Sequence, residues 1–167
     1  MARQVSLDTS FLISFADPTR ANHAVAVHYF RHCQAESIPM WLSVIAAGEF
    51  EVKQPVTDLP LSSFRIHTYQ LPHALRAARL FRHIHERTEA TAHGTRRVIV
   101  NDLKLIAQAA EEAIPTILTE DKNTLHKLCL MLNEAGLCAV RPLLLADGFQ
   151  PWTLASPDGA TYPSAPS

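Results

Sequence analysis

Four acidic side chains, Asp8, Glu49, Asp102 and Asp121, stand where a chain alternating strand and helix turns from one to the other, or just inside the following helix. Spread from residue 8 to residue 121, they meet if the strands lie parallel, because a parallel sheet gathers the carboxyl ends of its strands along one edge. Packed carboxylates repel and raise one another's pKa, so such a cluster calls for a countercharge. A hard dication supplies it. Mg²⁺ and Mn²⁺ prefer oxygen ligands, keep several waters, and need only a few protein carboxylates beside substrate phosphate oxygens. A water acidified by such an ion can attack a phosphodiester while the metal charge steadies the anionic phosphorus centre. That chemistry requires no histidine or cysteine nucleophile.

Each acid also has a plainer use, which stays open at the level of sequence. Asp8 suits the N-cap of the helix after it, Asn101 or Asp102 that of a helix from Leu103 to Ala113, and Asp121 that of the last long helix. Glu49 is harder to explain this way, since it follows Ala46, Ala47 and Gly48 on a short helix of small residues. Four coincidences weigh less than one site, so the metal-site reading is preferred. Glu51 rivals Glu49, but two residues along a helix is a rotation of about 200°, so only one of them faces the site. Glu120, on the alternate face of its strand end, is expected in solvent. His28 and His32 have the i, i+4 spacing of a helical metal pair, yet on an amphipathic helix they read as surface histidines.

Positioning the acids is the task of a strand and helix alternation. VSLDTSFLIS opens as a strand ending near Asp8, followed by a helix capped by Thr9 or Ser10. A second helix is expected from about Asn22 to Ala35, then the strand IPMWLSV and a helix capped by Ser43 that runs through Glu49. QPVTDLPLSS is a loop, FRIHTYQL a strand, and Pro72 begins an arginine-bearing helix. ATAHGTRRV reads as a second loop, carrying Arg96 and Arg97 toward a helix that Asp102 opens. In that helix Leu103, Ile106, Ala107 and Ala110 fall at helical spacing. PTILTED, KNTLHKLCLMLNEAG and LCAVRPLLL complete the pattern as strand, helix and strand, Gly136 closing the helix. The expected fold class is α/β, a three-layer α/β/α arrangement with a mostly parallel central sheet.

At 167 residues and 47% apolar composition, there is material for one domain with a proper core. We read that domain over residues 1–147, with a Pro/Ser-rich tail over 148–167 whose beginning Phe149 and Trp152 could anchor. The amino-terminal apolar run is broken by Asp8 and is not expected to act as a signal peptide. No stretch approaches the roughly 18 apolar residues of a membrane span. Three cysteines, Cys33, Cys129 and Cys138, match no zinc spacing, and a reducing cytoplasm is the simplest setting. The net charge of −1 conceals an asymmetry: without the four clustered acids, 12 carboxylates face 15 Lys and Arg. Seven arginines lie between Ser63 and Val98 against Glu86 and Glu89 alone, a basic flank suited to gathering phosphate. The competing reading makes Arg76, Arg79 and His83 the solvated face of a helix whose Ala77, Leu80, Phe81 and Ile84 face the core.

Four segments, VSLDTSFLIS, SVIAAGEFEV, VNDLKLIAQAA and ILTEDKNTLHKL, resemble in order and separation the PIN-domain ribonucleases, including the VapC-type toxins of bacterial toxin–antitoxin pairs. The resemblance covers about residues 4–146. It implies a metal-dependent endoribonuclease with Mg²⁺ or Mn²⁺ held by Asp8, Glu49, Asp102 and Asp121, and with Thr9 and Thr119 as supporting hydroxyls. Arg96 and Arg97 become candidates for contact with the RNA substrate's backbone. A small antitoxin partner and a homodimer are implied in the same way. The pattern departs from the family after the fourth acid, where Lys122, Asn123, Thr124 and Leu125 stand in place of the aromatic often found there. The alternative is a catalytically inactive PIN-like binding module in an RNA-associated or regulatory complex. Nothing in the sequence reads a 2′-hydroxyl, so RNA and DNA are not separated by residues alone.

Overall fold

The structure, a computed structural model, describes residues 3–87 and 93–154, with side chains from 86 to 97 left out. Its centre is a five-stranded parallel sheet in the order β3-β2-β1-β4-β5. The strands are β1 (Val5–Leu7), β2 (Met40–Ser43), β3 (Arg65–His67), β4 (Thr116–Thr119) and β5 (Arg141–Leu144). Among the described residues six α-helices cover it: α1 (Thr9–Ala16), α2 (His23–Ala35), α3 (Val44–Glu51), α4 (Leu71–Arg87), α5 (His93–Glu111) and α6 (Leu125–Glu134). The expected three-layer α/β/α class is therefore the observed one.

Every residue of β1 and β4 is buried, as befits central strands covered on both faces. The edge strand β3 exposes Arg65 and Ile66 and buries only His67. From β1 the chain adds β2 and β3 on one side, then returns to place β4 and β5 on the other. The order thus reverses between β1 and β4, whose register pairs Leu7 with Leu118. Just past that pair the Asp8 amide donates to the Leu118 carbonyl, 3.1 Å away. Asp8 and Asp121 follow the two strands that flank the reversal, the place where open α/β sheets hold ligands.

Helix α5 packs on α3, α4, α6 and β4. Leu103, Ile106 and Ala107 are buried as their spacing predicts, Ala110 partly so, and Leu105 and Ala109 are buried as well. More than one face of this helix is therefore internal. Each fully buried Leu or Ile of this kind contributes roughly 1.5–3 kcal/mol of transfer free energy. Helix α4 buries Ala77, Leu80 and Ile84, leaves Arg79 and Arg82 exposed, and pairs Arg76 with Glu111 at 3.1 Å. The solvated-face reading thus holds for Arg79, whereas Arg76 and His83 are half-buried and each carries a buried nitrogen without a hydrogen-bond partner.

Several expectations are corrected. The cap of α1 is Asp8 itself, whose side chain accepts from the Thr9 amide, rather than Thr9 or Ser10. The segment read as a loop carrying Arg96 and Arg97 is helical from His93, because Val98, Ile99 and Val100 extend the apolar pattern backward. The side chains of both arginines lie outside the described residues. Asp102 consequently sits within α5 and does not open it. Glu120 is not solvated: it accepts from Ser14, Arg20 and Asn22 at 2.7, 2.9 and 2.8 Å. The start of the tail is packed, with Phe149 edge-on to Tyr29 at 5.0 Å between ring centroids and Leu154 buried in the core. Residues 155–167 lie outside the described part of the chain.

Candidate active site

All four predicted acids line one open cleft of about 480 Å³, together with Thr9, Ser10, Lys53 and Asn101. Each is brought there by a different element. Asp8 caps α1, its Oδ1 accepting from the Thr9 amide at 2.7 Å. Its Oδ2 accepts from Ser10 Oγ at 2.5 Å and from Thr119 Oγ1 at 2.8 Å. The cap role and the site role are thus compatible, because a carboxylate has lone pairs for several donors. Thr119 also accepts from the Asp121 amide at 2.9 Å, so one hydroxyl on the last residue of β4 ties the first acid to the fourth. Asp121 Oδ1 accepts from the amides of Asn123 and Thr124, both at 2.9 Å, which fixes its carboxyl group in the turn before α6.

Glu49 reaches the cleft from α3. Its Oε2 accepts from Thr9 Oγ1 at 2.5 Å and its Oε1 from Asn101 Nδ2 at 2.6 Å. Glu51 is exposed and accepts from the Val56 amide instead. The 200° argument from the sequence holds here. Asp102 differs from the other three, since its Oδ2 is buried without a hydrogen-bond partner. A buried unpartnered carboxylate oxygen is costly unless an additional group, such as a cation, meets it. Burial, and then the neighbouring Asp8, Asp121 and Glu49, push the Asp102 carboxyl up to about 8. Burial likewise raises Asp8, against the pull of its hydrogen bonds from Ser10, Thr119 and Thr9. Desolvation is the larger cause of both shifts and the neighbouring negative charge the smaller, and a bound dication would oppose both. Among the described residues no three of these carboxylates bring oxygens within 4.8 Å of one another.

Ser10, Asn101 and Lys53 were not singled out for this site from sequence. Ser10 lies two residues after Asp8 and, besides donating to it, accepts from the Glu120 amide at 2.8 Å, latching α1 to the end of β4. Asn101 adjoins Asp102, where its type suggested only a helix cap. Lys53 brings a cation to the cleft margin, a position no spacing rule marks.

No known family profile matches the chain, and no curated protein is similar to it in sequence. Solved structures do share its shape. VapBC2 from Rickettsia felis, bound to a DNA fragment from its promoter, superposes with a TM-score of 0.57 at 13% identity, covering 83% of this chain and 98% of that one. FitAcB from Neisseria gonorrhoeae gives 0.56 at 17% identity, covering 89% and 98%. The fold is that of the PIN domain. Mycobacterium tuberculosis VapC20, described as a toxin cleaving the sarcin-ricin loop, gives 0.50 at 17% identity over 83% of this chain and 99% of its own. In this PIN fold the acidic cleft lies off the carboxyl ends of β1 and β4, where the sheet order reverses.

Proposed function

We propose that the chain is a metal-dependent endoribonuclease, the toxin of a toxin–antitoxin pair, with Asp8, Glu49, Asp102 and Asp121 holding Mg²⁺ or Mn²⁺. The observation that carries this reading is the buried, unpartnered Oδ2 of Asp102 facing a cleft shared with three other acids. The donor set is all carboxylate oxygen, with hydroxyls behind it, which matches a hard dication. Such an ion, when bound, supplies positive charge to the scissile phosphate and lowers the pKa of the attacking water. The protein's own part is positional. Thr119 and Ser10 hold Asp8, while Thr9 and Asn101 hold Glu49, so each carboxylate is aimed before any substrate arrives.

Lys53 at the cleft, and Arg96 and Arg97 within two turns of Asp102 along α5, are the cations assigned to the RNA backbone. Among the described residues no helix is long and apolar enough to cross a membrane. The solved complexes of similar fold carry antitoxin partners, and exposed Leu71, Leu75 and Val98 support surfaces of this chain covered by an antitoxin or a second copy in a homodimer. We place the nuclease domain over residues 1–147, with Phe149 to Leu154 packed onto it as the root of the tail.

The test is cleavage of single-stranded RNA, structured RNA and single-stranded DNA with Mg²⁺, Mn²⁺ or EDTA, beside Asp8→Asn protein. Metal-dependent cutting of RNA that Asp8→Asn lacks supports the proposal. Equal cutting by both proteins, or silence from both across the panel, favours an inactive binding module.

A further inference from the structure

A second cluster lies apart from the acidic cleft, at the base of the helical pair α4 and α5. His67 ends the edge strand β3, His73 lies in the first turn of α4, and Glu112 follows the last residue of α5. Both imidazoles aim the same atom at the same oxygen: His73 Nε2 is 3.0 Å and His67 Nε2 3.6 Å from Glu112 Oε1. We propose that His67, His73 and Glu112 form a Zn²⁺ site that clips the edge of the sheet to the α4 and α5 pair.

Geometry carries the inference. All three ligand atoms lie within 4.8 Å of one another. A tetrahedral ion with bonds of about 2.0–2.2 Å has ligands roughly 3.4 Å apart, so the two measured separations bracket the edge such an ion requires. Two imidazole nitrogens and one carboxylate, with a position left for water, is a zinc donor set, and it is softer than the all-oxygen cleft. The histidines are 8% and 2% exposed, whereas the Glu112 side chain is 50% exposed, so the cluster opens to solvent on one side. An ion can enter there, and a water can fill the fourth position.

The surroundings are built to hold these groups. Gln108 on α5 donates to the backbone carbonyls of His67 and Thr68, at 3.2 and 3.1 Å, while its own oxygen accepts from Ser43. The end of β3 is thereby tied to α5 independently of the histidines.

One hydrogen bond defines what loading must change. The Gln70 amide donates to His73 Nδ1 at 2.9 Å, so without metal the ring's proton resides on Nε2 and faces Glu112. Zn²⁺ at Nε2 displaces that proton to Nδ1, with no net loss from the ring, and the Gln70 amide must let go. Zinc binding and release of the Gln70 amide are therefore a single event.

The experiment titrates the full chain with Zn²⁺ alone, by calorimetry and by amide NMR, in wild type and in Asp8→Asn protein, whose acidic cleft is impaired. One equivalent that depends on His67 and Glu112 is expected at micromolar Zn²⁺ in both, with faster exchange of the Gln70 amide, whatever further zinc the intact acidic cleft of wild type takes up. Glu112→Gln, a change at a position whose side chain is 50% exposed, and His67→Gln should each weaken binding by at least about tenfold in protein whose thermal melt confirms folding. The proposal is overturned by absence of binding in both proteins, by binding that Asp8→Asn abolishes, by affinity unchanged in Glu112→Gln and His67→Gln, or by a Gln70 amide that stays protected in the zinc-loaded protein. Because the readout is binding in a cleft-impaired variant, its failure is separate from failure of the nuclease reading.

Discussion

Replacing Asp102 with asparagine should stabilise the metal-free protein in mild alkali, an unusual outcome for a buried position in a well-packed helix. The Asp102 carboxyl is raised from 3.8 to about 8 by burial and by three neighbouring acids. A group whose folded pKa lies above its unfolded one stabilises fully below the unfolded value, and that contribution is lost as pH rises through the folded value. At about 1.4 kcal/mol per pH decade, the metal-free wild type loses on the order of 5 kcal/mol between about pH 4 and about pH 8. Asparagine carries no titrating proton and can donate toward Asp8, Glu49 or Asp121, so it escapes this loss. Recovery of about 2 kcal/mol would raise Tm by about 4–8 °C for a chain of this size. Thermal melts in EDTA across that pH range, wild type beside Asp102→Asn, read the effect directly. The variant should gain on wild type steadily as pH rises, and Mn²⁺ should narrow the gap by stabilising wild type more than the variant. A variant that melts lower at every pH, or a gap independent of pH, would refute the electrostatic reasoning.

Three further outcomes follow from the contacts. Thr9→Val frees Glu49 Oε2 and should cut metal-dependent cleavage by about 10–100-fold with little change in Tm, the pattern expected when a carboxylate loses its orienting partner. Phe149→Ala removes the ring packed on Tyr29, His28 and His32 and should cost about 2 kcal/mol in urea denaturation, less than a fully buried Phe because this one is only partly covered. Cys33 and Cys129 are buried, with burial pushing Cys33 up to about 12 and Cys129 well above the usual thiol range, so neither should react with iodoacetamide at neutral pH until the protein unfolds.

The acidic cleft was legible in the sequence because its acids sit at strand ends or on short helices, and parallel topology does the rest. Asp8 and Asp121 flank the reversal of strand order, as the strand and helix alternation required. The start of α5 was misread for a local reason. Gly94, Thr95 and the preceding small residues have loop character in the sequence, whereas the helix as a whole, which begins at His93, packs against α4 and α6. Tertiary contact overrode propensity there. Ser10, Asn101 and Lys53 escaped notice because each acts through another residue or at a cleft margin, and such roles have no spacing signature. His67, His73 and Glu112 escaped for a different reason: the two histidines sit on different elements, β3 and α4, and Glu112 follows 39 residues after His73, just past α5, with no motif joining them. The sheet edge and the two helices had to be placed first.

Direct sight of a bound ion would decide most. In crystals soaked with Mn²⁺, anomalous scattering should show a peak in the cleft, within about 2–2.5 Å of oxygens from Asp8 and at least one of Glu49, Asp102 and Asp121. A fully ordered cleft that shows no peak at millimolar Mn²⁺, or a peak elsewhere only, would contradict the reading of these four acids as a metal centre.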